Sequence, residues 1–281
     1  MDLLDRARAD HPVAAALAAH DTVDSFAMAQ RRAASPARRR WVLLHRIGRR
    51  WRTRVQTIRI GGVSLDFVRI AEPDKVLDEV ADLESHRSAH PSPSNPPLNV
   101  PYWAELWDSA IGIAQFIERQ SRQMPIPIRA MDLGCGMGLV GMAAAAAGWQ
   151  VLMADYEPPA LLFARLNTLA WRERVQVRRV DWQHDRLRER FDRIVSGDVL
   201  YERRQWPFLE AFWRAHLAEG GSVWIGEPGR QTGIDFVPWV INKGWRVEQS
   251  SEEVGAKRIN ILELRMTFVT DCENHAPARR R

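Results

Sequence analysis

The stretch MDLGCGMGLVG, residues 131–141, places glycines at alternate positions directly after a short apolar run: Gly134, Gly136 and Gly138. A glycine loop between a strand and a helix allows a ligand to lie against bare backbone at the carboxyl edge of an α/β sheet. The spacing is GxGxG, and Leu139 stands where a dinucleotide-binding loop has its third glycine. Asp132 precedes the loop, and a carboxylate there repels a pyrophosphate but attracts an ammonium or sulfonium group. The loop therefore favours a phosphate-free ligand that carries a cation.

Two further acidic residues stand at the ends of the next predicted strands. Asp155 is placed to accept hydrogen bonds from both hydroxyls of a ribose. Asp181 is placed to accept the amino group of adenine, and Trp182 offers an apolar face to the ring. The structural alternatives are that Asp155 caps the following helix and that Trp182 is a core residue. The combination predicts S-adenosylmethionine as the cofactor and no metal ion, with Tyr156 and Gly197 as additional cofactor-binding residues.

These residues are positioned by an alternation of strands and helices that begins near residue 102. Apolar runs predict strands at 128–134, 150–155, 175–182, 191–198 and 222–228. Helical periodicity predicts helices at 105–119, 139–147, 158–171, 204–220 and 233–243, the fourth ending at Gly220-Gly221. The last two strands, WRVEQSSEEV and RINILELRMT, are so close around Gly255 that they must pair antiparallel. The expected fold is α/β: a Rossmann-like, doubly wound seven-stranded sheet with a terminal antiparallel β-hairpin, plus an N-terminal helical and β-hairpin extension.

The predicted domain organisation has four parts. Residues 1–54 form an Ala/Arg-rich helical extension, with a helix expected within 1–30. Residues 55–100 hold a β-hairpin at 57–70, a helix at 73–85 and a proline-rich linker at 90–101 that overlaps the next part. Residues 101–268 form the S-adenosylmethionine-binding domain, and residues 269–281 form a disordered tail.

The net charge of +5 is concentrated in residues 31–54, which contain ten arginines and no acidic residue. One interpretation is a positively charged surface that binds RNA, a ribosomal surface or an acidic partner. The other is an amphipathic helix whose apolar residues pack on the domain at helical spacing. Those apolar residues are Trp41, Leu44, Ile47 and Trp51.

Other features of the sequence bear on the cellular compartment of the protein. The apolar stretches are too short and too rich in alanine to span a bilayer, so no membrane association is expected. The acidic start MDLLDRARAD lacks the basic flank of a signal peptide. The two cysteines, Cys135 and Cys272, are expected as free thiols in a reducing cytoplasm. Nothing in the sequence indicates an oligomeric state.

Several motifs together resemble a known family. They are PYWAELWDSA (101–110), DLGCGMGLVG (132–141), ADYEP (154–158), DW (181–182) and DVLY (198–201). With them the chain resembles the class I, seven-strand S-adenosylmethionine-dependent methyltransferases. More narrowly, it is similar to the protein-lysine methyltransferases that include the enzyme modifying the electron-transfer flavoprotein β subunit. The resemblance covers residues 57–268.

The resemblance implies roles for particular residues. Asp198 and Tyr201 match the Asp-x-x-Tyr/Phe motif that lies beside the transferred methyl group, and they are the expected catalytic residues. The tryptophan-rich segment before the first sheet strand lines the methionine end of the cofactor in that family. This implies a role for Trp103, Glu105 or Trp107, of which Trp107 joins the predicted cofactor-binding residues.

The expected substrate is a lysine side chain of a protein. Enzymes that methylate planar base amines have Pro-Pro-aromatic after the first polar residue of this motif, whereas this chain has Val199-Leu200. A carboxylate beside an aromatic ring suits a tetrahedral cationic amine. Two alternatives remain open: methylation of a small, nicotinamide-like amine, and an RNA- or ribosome-associated methyltransferase or binding protein.

Overall fold

The computed structural model describes residues 35–89 and 100–267. The helix expected within 1–30, most of the linker at 90–101 and the tail 269–281 lie outside the described residues. The chain divides into two compact units, Met1–Val42 and Leu43–Arg281. Apart from the start of the first described helix, every described element belongs to the second unit.

The Arg-rich segment contains helix α1, Pro36–Gly48. Ile47 is fully buried, and Leu44 and Trp51 are half-buried, as the amphipathic pattern predicts. Trp41 differs from the prediction because it is 64% exposed. A helix turns about 100° per residue, so each three-residue step falls about 60° short of a full turn. Trp41 is two such steps from Ile47 and does not share its face.

The predicted hairpin is confirmed. Strands β1 (Thr53–Ile60) and β2 (Val63–Ile70) pair antiparallel around the Gly61-Gly62 turn. β1 begins four residues before the expected start. The helix that follows, α2, runs from Pro73 to Ala89 and is also longer than predicted.

A seven-stranded sheet forms the centre of the second unit. Its strands are β3 (Arg129–Leu133), β4 (Gln150–Asp155), β5 (Val175–Arg179), β6 (Phe191–Gly197), β7 (Leu217–Glu227), β8 (Trp245–Val254) and β9 (Lys257–Met266). Their order is β5-β4-β3-β6-β7-β9-β8. β3 to β7 are parallel, whereas β9 pairs antiparallel with both β7 and β8. The expected doubly wound sheet with a closing antiparallel hairpin is confirmed, and its strand order reverses between β3 and β6.

Five helices accompany this sheet: α3 (Asp108–Ser121), α4 (Leu139–Ala146), α5 (Pro158–Asn167), α6 (Trp206–His216) and α7 (Gln231–Ile241). The helix predicted at 105–119 starts at Asp108, since Trp107 is extended with φ −74° and ψ 140°. A 3-10 turn at Tyr102–Ala104 precedes it. The segment between the turn and α3 is therefore free to line a cavity.

The prediction for the end of α6 is wrong. The helix ends at His216, and Gly220-Gly221 lies inside β7 instead of closing the helix. Pairing between β6 and β7 jumps from Phe191–Leu217 to Arg193–Ser222, so the two glycines occupy a strand irregularity. Gly220 has φ +70°, which the glycine supplies without a side-chain clash.

The hairpin shares one hydrophobic cluster with the helices that follow β3 and β4. Phe67 of β2 packs in the same cluster as Leu139 and Met142 of α4 and Phe163 of α5. Asn167, at the end of α5, fastens this contact. Its Oδ1 accepts the Val68 N–H at 2.8 Å, and its Nδ2 donates to the carbonyls of Val68 at 3.0 Å and Met137 at 2.9 Å.

Replacing Asn167 with alanine is expected to lower the free energy of unfolding by about 2–5 kcal/mol, because three buried backbone groups lose their partner. Urea denaturation monitored by circular dichroism measures the change. Gln176→Ala, an exposed change on β5, is the control, and an Asn167→Ala value equal to this control would contradict the proposed fastening.

Candidate functional site

A cavity of about 970 Å³ opens at the carboxyl edge of the sheet, where the strand order reverses. This is the position at which open α/β sheets bind ligands. Its lining contains most of the residues predicted from the sequence: Trp107, Gly134, Gly136, Gly138, Asp155, Tyr156, Asp181, Trp182, Gly197, Asp198 and Tyr201. The structure thus brings these residues together from four strand ends and the segment before α3.

The glycine loop is held open by backbone hydrogen bonds to β4. The N–H groups of Gly134 and Cys135 both donate to the carbonyl of Ala154, at 2.8 and 3.0 Å. At Gly136, with φ +52°, a Cβ would meet nothing closer than the Trp103 carbonyl oxygen at 3.8 Å. That face of the loop is bare backbone turned to the cavity, as the sequence predicts.

Asp155 shapes the cavity through both of its carboxylate oxygens. Oδ2 accepts the N–H of Gly136, and Oδ1 accepts the N–H of Glu157, each at 2.8 Å. The side chain is 9% exposed, and burial raises its pKa to about 6. Each oxygen keeps a further lone pair. Asp155 therefore fixes the loop and can still accept hydroxyl groups of a ligand. The alternative that it caps α5 is wrong, because the N-cap residue of that helix is Glu157.

Asp132 is the exception among the predicted residues because it does not line the cavity. It is 0% exposed. Its Oδ2 accepts the N–H of Gly141 at 2.8 Å, and its Oδ1 has no hydrogen-bond partner within the described residues. The expected direct attraction of a ligand cation is corrected here, because the carboxylate lies behind the loop and holds the first turn of α4.

The burial of Asp132 predicts a pH-dependent stability. Burial raises its pKa from 3.8 to about 7. A carboxyl group with a raised folded-state pKa stabilises the fold at acid pH, and this stabilisation is lost as the pH rises from about 4 through about 7. Asp132→Asn keeps the acceptor for Gly141 and does not titrate. Its free energy of unfolding relative to wild type is expected to increase by about 4 kcal/mol between pH 4 and pH 8.

Urea denaturation of both proteins across this pH range measures that difference. Taking the difference cancels other titrations, such as that of buried His216, whose lowered pKa destabilises the fold at acid pH. A difference that stays constant with pH would show that folding does not raise the pKa of Asp132.

The predicted adenine-binding pair lies just beyond the end of β5. Asp181 accepts the N–H of Gln183 on Oδ1 and pairs with Nδ1 of His184 through Oδ2, both at 2.9 Å. The Trp182 indole N–H donates to Gln205 at 3.1 Å. The nearest Trp182 ring atom is 3.7 Å from the Cβ position built at Gly134, so the ring borders the glycine loop.

Asp198 has an unusual backbone and an unpredicted partner. It has φ +62° and is the one non-glycine residue with positive φ in the described part of the chain. Its N–H donates to the carbonyl of Gly226 at 2.9 Å, and its carboxylate forms an ion pair with Arg230. Burial raises the pKa of Asp198, and the Arg230 guanidinium opposes this rise. Strained backbone of this kind concentrates at functional sites.

Aromatic rings surround this ion pair. The rings of Tyr102 and Tyr201 lie 4.9 Å apart, and those of Tyr102 and Trp107 lie 6.3 Å apart. The Arg230 guanidinium stands 5.7 Å above the ring of Trp107. The mouth of the cavity thus holds a cation between a carboxylate and an aromatic face.

Tyr102 and Arg230 are site residues to which no sequence motif assigns a role. Tyr102 belongs to the PYWAELW motif, but its position in a 3-10 turn decides which ring reaches the cavity. Arg230 follows β7, the strand beside β6. One sequence signal points to Arg230: it follows the carboxyl end of a parallel strand, and that strand is the neighbour of the strand before Asp198.

The three candidates in the segment before α3 all line the cavity, at different places. Trp103 lies between Trp51 and Phe163, and its backbone faces Gly136. Glu105 accepts hydrogen bonds from Arg69 and from the N–H of Leu106, each at 2.9 Å. Trp107 donates its indole N–H to the Tyr102 carbonyl at 2.9 Å and lies at the Asp198 end.

The donor set fits a nucleoside that carries a cation. Carboxylates, an indole ring and bare glycine backbone line the cavity, and its volume is within the usual range for small-molecule sites. No group of side chains within 35–89 and 100–267 has the makeup of a metal site. None of the helices in these ranges has the length and apolar character needed to cross a lipid bilayer.

Comparison with known proteins finds a protein family that part of this chain resembles. Residues 102–231 match the family described as lysine methyltransferase. The chain is 31% identical over 140 residues to the electron transfer flavoprotein beta subunit lysine methyltransferase of Xenopus laevis, covering 48% of this chain and 55% of that protein. It is 28% identical over 184 residues to protein-lysine N-methyltransferase rrg1 of Schizosaccharomyces pombe, covering 58% and 54%.

The chain therefore spans about half the length of these curated relatives. Among solved structures, the glycopeptide N-methyltransferase MtfA superposes with a TM-score of 0.49 at 16% identity. That superposition covers 55% of this chain and 90% of the MtfA chain.

Proposed function

We propose that this chain transfers a methyl group from S-adenosylmethionine to a lysine side chain of a protein, because residues 102–231 match the family described as lysine methyltransferase. One observation carries the choice of lysine. Arg230, a long side chain ending in a cation, already lies between the Asp198 carboxylate and the Trp107 ring. A substrate lysine presents the same combination of an aliphatic stem and a terminal cation.

The cofactor is proposed to lie along the carboxyl edge of the sheet. Asp155 accepts the ribose hydroxyls, the ring of Trp182 packs against the adenine, and Asp181 accepts its amino group. Both Asp181 oxygens already accept one bond each, so the adenine contact uses a second lone pair. The methionine end points past Gly136 toward Trp107 and Asp198.

The cofactor supplies a methyl group on a sulfonium, and the protein aligns the attacking amine with it. Lysine must be neutral to attack, and from a reference pKa of about 10.4 this costs roughly 4–5 kcal/mol at pH 7. Asp198 stabilises the protonated amine, so we assign it to binding and orientation. The lysine proton leaves to water.

The proposal is tested by incubating purified protein with S-adenosylmethionine labelled in the methyl group and a cell extract. Labelled lysine in a discrete protein, identified by mass spectrometry, is the expected result. Gly136→Ala, which places a methyl group in the cofactor cavity, is the negative control. Label confined to small molecules or to RNA would instead select one of the two alternative functions.

We also propose a cytoplasmic location. A free buried thiol, Cys135, supports it because its position inside the glycine loop favours a reducing compartment. Fractionation of cells that produce the tagged protein tests it, and recovery with the membrane or secreted fraction would contradict it.

A further inference from the structure

A second depression lies beside the cofactor cavity and is lined by arginines. Its volume is about 560 Å³. Its basic residues come from the end of α1, the turn after it, α5 and the end of β5: Arg46, Arg49, Arg50, Arg165 and Arg179. We call this depression the arginine groove. It contains part of the Arg-rich segment whose role the sequence alone leaves open.

These five positive charges are not neutralised within the described part of the chain. None of the five appears in an ion pair there, although fifteen other pairs do form. Arg165 donates to the backbone carbonyls of Leu161 and Val177, and Arg179 to that of Tyr156. Guanidinium groups gathered without carboxylates form a surface that attracts anions.

The arginine groove adjoins the cofactor cavity. The Arg179 guanidinium lies 4.5 Å from the centre of the Tyr156 ring, and Tyr156 lines the cofactor cavity. Trp51 of the groove meets Trp103 of the cavity edge to face, with ring centres 5.5 Å apart. A macromolecule bound in the groove is therefore held next to the cofactor cavity.

The apolar residues of the groove distinguish between anionic partners. Apart from Trp51, they are the aliphatic side chains of Pro158, Pro159, Leu161 and Leu162. The Trp51 ring already contacts the Trp103 ring, which is nearly perpendicular to it, and Arg50, which lies 5.0 Å from the ring centre. Proteins that bind single-stranded nucleic acid offer free aromatic faces for base stacking. This groove offers carboxylate-binding forks beside aliphatic surface, which suits an acidic peptide that also carries apolar residues.

We infer that the arginine groove binds an acidic segment of the protein substrate, and so positions the substrate for methylation. This inference rests on the proposed function, since it names a property of the same substrate.

The test uses the full chain and fluorescein-labelled octaglutamate as the probe, with binding followed by anisotropy at low and at physiological ionic strength. The groove variant is Arg46→Glu/Arg49→Glu. The matched control is Arg54→Glu/Arg174→Glu, which makes the same charge change at exposed arginines outside the groove. The groove variant is expected to bind octaglutamate at least tenfold more weakly, and the control within about twofold of wild type.

Equal affinity of the two variants would overturn the inference. So would labelled octauridylate that binds more tightly than octaglutamate and is lost in the groove variant, because that result assigns the groove to RNA. With wild type, octaglutamate is also expected to raise KM for a protein substrate without changing kcat, and no effect on KM would contradict a role in substrate docking.

A separate measurement distinguishes failure of the proposed function from failure of the inference about the arginine groove. Calorimetric titration with S-adenosylhomocysteine reports on the cofactor cavity and is expected to give the same affinity for wild type and both variants. Loss of that binding in wild type would overturn the methyltransferase proposal, whatever octaglutamate shows.

Discussion

Asp198→Ala is expected to lower kcat/KM for lysine methylation by about 10²–10³-fold while leaving the affinity for S-adenosylhomocysteine nearly unchanged. The alanine removes the carboxylate that we propose orients the amine, and it leaves Arg230 without its ion-pair partner. The carboxylates proposed for the nucleoside, Asp155 and Asp181, are untouched. Methyl incorporation into a protein substrate measures the first effect, and calorimetric titration measures the second.

The positive φ of Asp198 requires a control for backbone strain. Asparagine adopts this left-handed conformation more readily than alanine, so Asp198→Asn preserves the backbone and removes only the charge. Both variants are expected to lose activity if the carboxylate is what matters. Activity retained by Asp198→Asn would assign the effect to the backbone, and equal loss of turnover and cofactor affinity would place Asp198 in the cofactor site.

The second large effect is expected at two glycines of the loop, with opposite outcomes. Gly138 has φ +98°, and a Cβ there would stand 2.6 Å from Cε of Met153 and 3.0 Å from Cα of Ala164. Gly138→Ala therefore forces the loop away from α5 and is expected to cost about 2–5 kcal/mol of folding free energy. A Cβ at Gly136 would make only an ordinary contact with the Trp103 backbone, at 3.8 Å, so Gly136→Ala is expected to cost about 1–2 kcal/mol.

Among the molecules that remain folded, Gly136→Ala is expected to weaken ligand binding more than Gly138→Ala. The methyl group of Gly136→Ala enters the cavity and is expected to weaken S-adenosylhomocysteine binding at least tenfold. Thermal unfolding and calorimetric titration of both variants separate stability from binding. A stable Gly138→Ala protein, or a Gly136→Ala protein with wild-type affinity, would contradict the assignment of these glycines.

The regular part of the fold is readable from the sequence because its signals are local. Alternating apolar runs and helical periodicity locate β3 to β9 and α3 to α7, and the short connection at Gly255 determines the antiparallel closure. The end of α6 is not readable in the same way, because Gly220-Gly221 is an ordinary helix terminator in isolation. The parallel pairing with β6 extends β7 back to Leu217 and places the glycines inside the strand.

The candidate site was predictable to the extent that it is built from strand ends. Asp155 ends β4, Asp181 and Asp198 follow β5 and β6, and parallel strands bring their carboxyl ends to one edge. The depth of Asp132 behind the loop was not predictable, because burial depends on how α4 packs. The Asp198–Arg230 pair joins residues from two different loops, and no local pattern encodes that distance.

The three hydrogen bonds of Asn167 have a consequence for where this protein can be divided. They connect Val68, which precedes the family-matched residues 102–231, with Met137 inside the glycine loop. A fragment trimmed to the matched residues would lose one anchor of that loop and would expose Phe163 and Met142 to water. The residues that match the family therefore do not by themselves form a unit that folds independently.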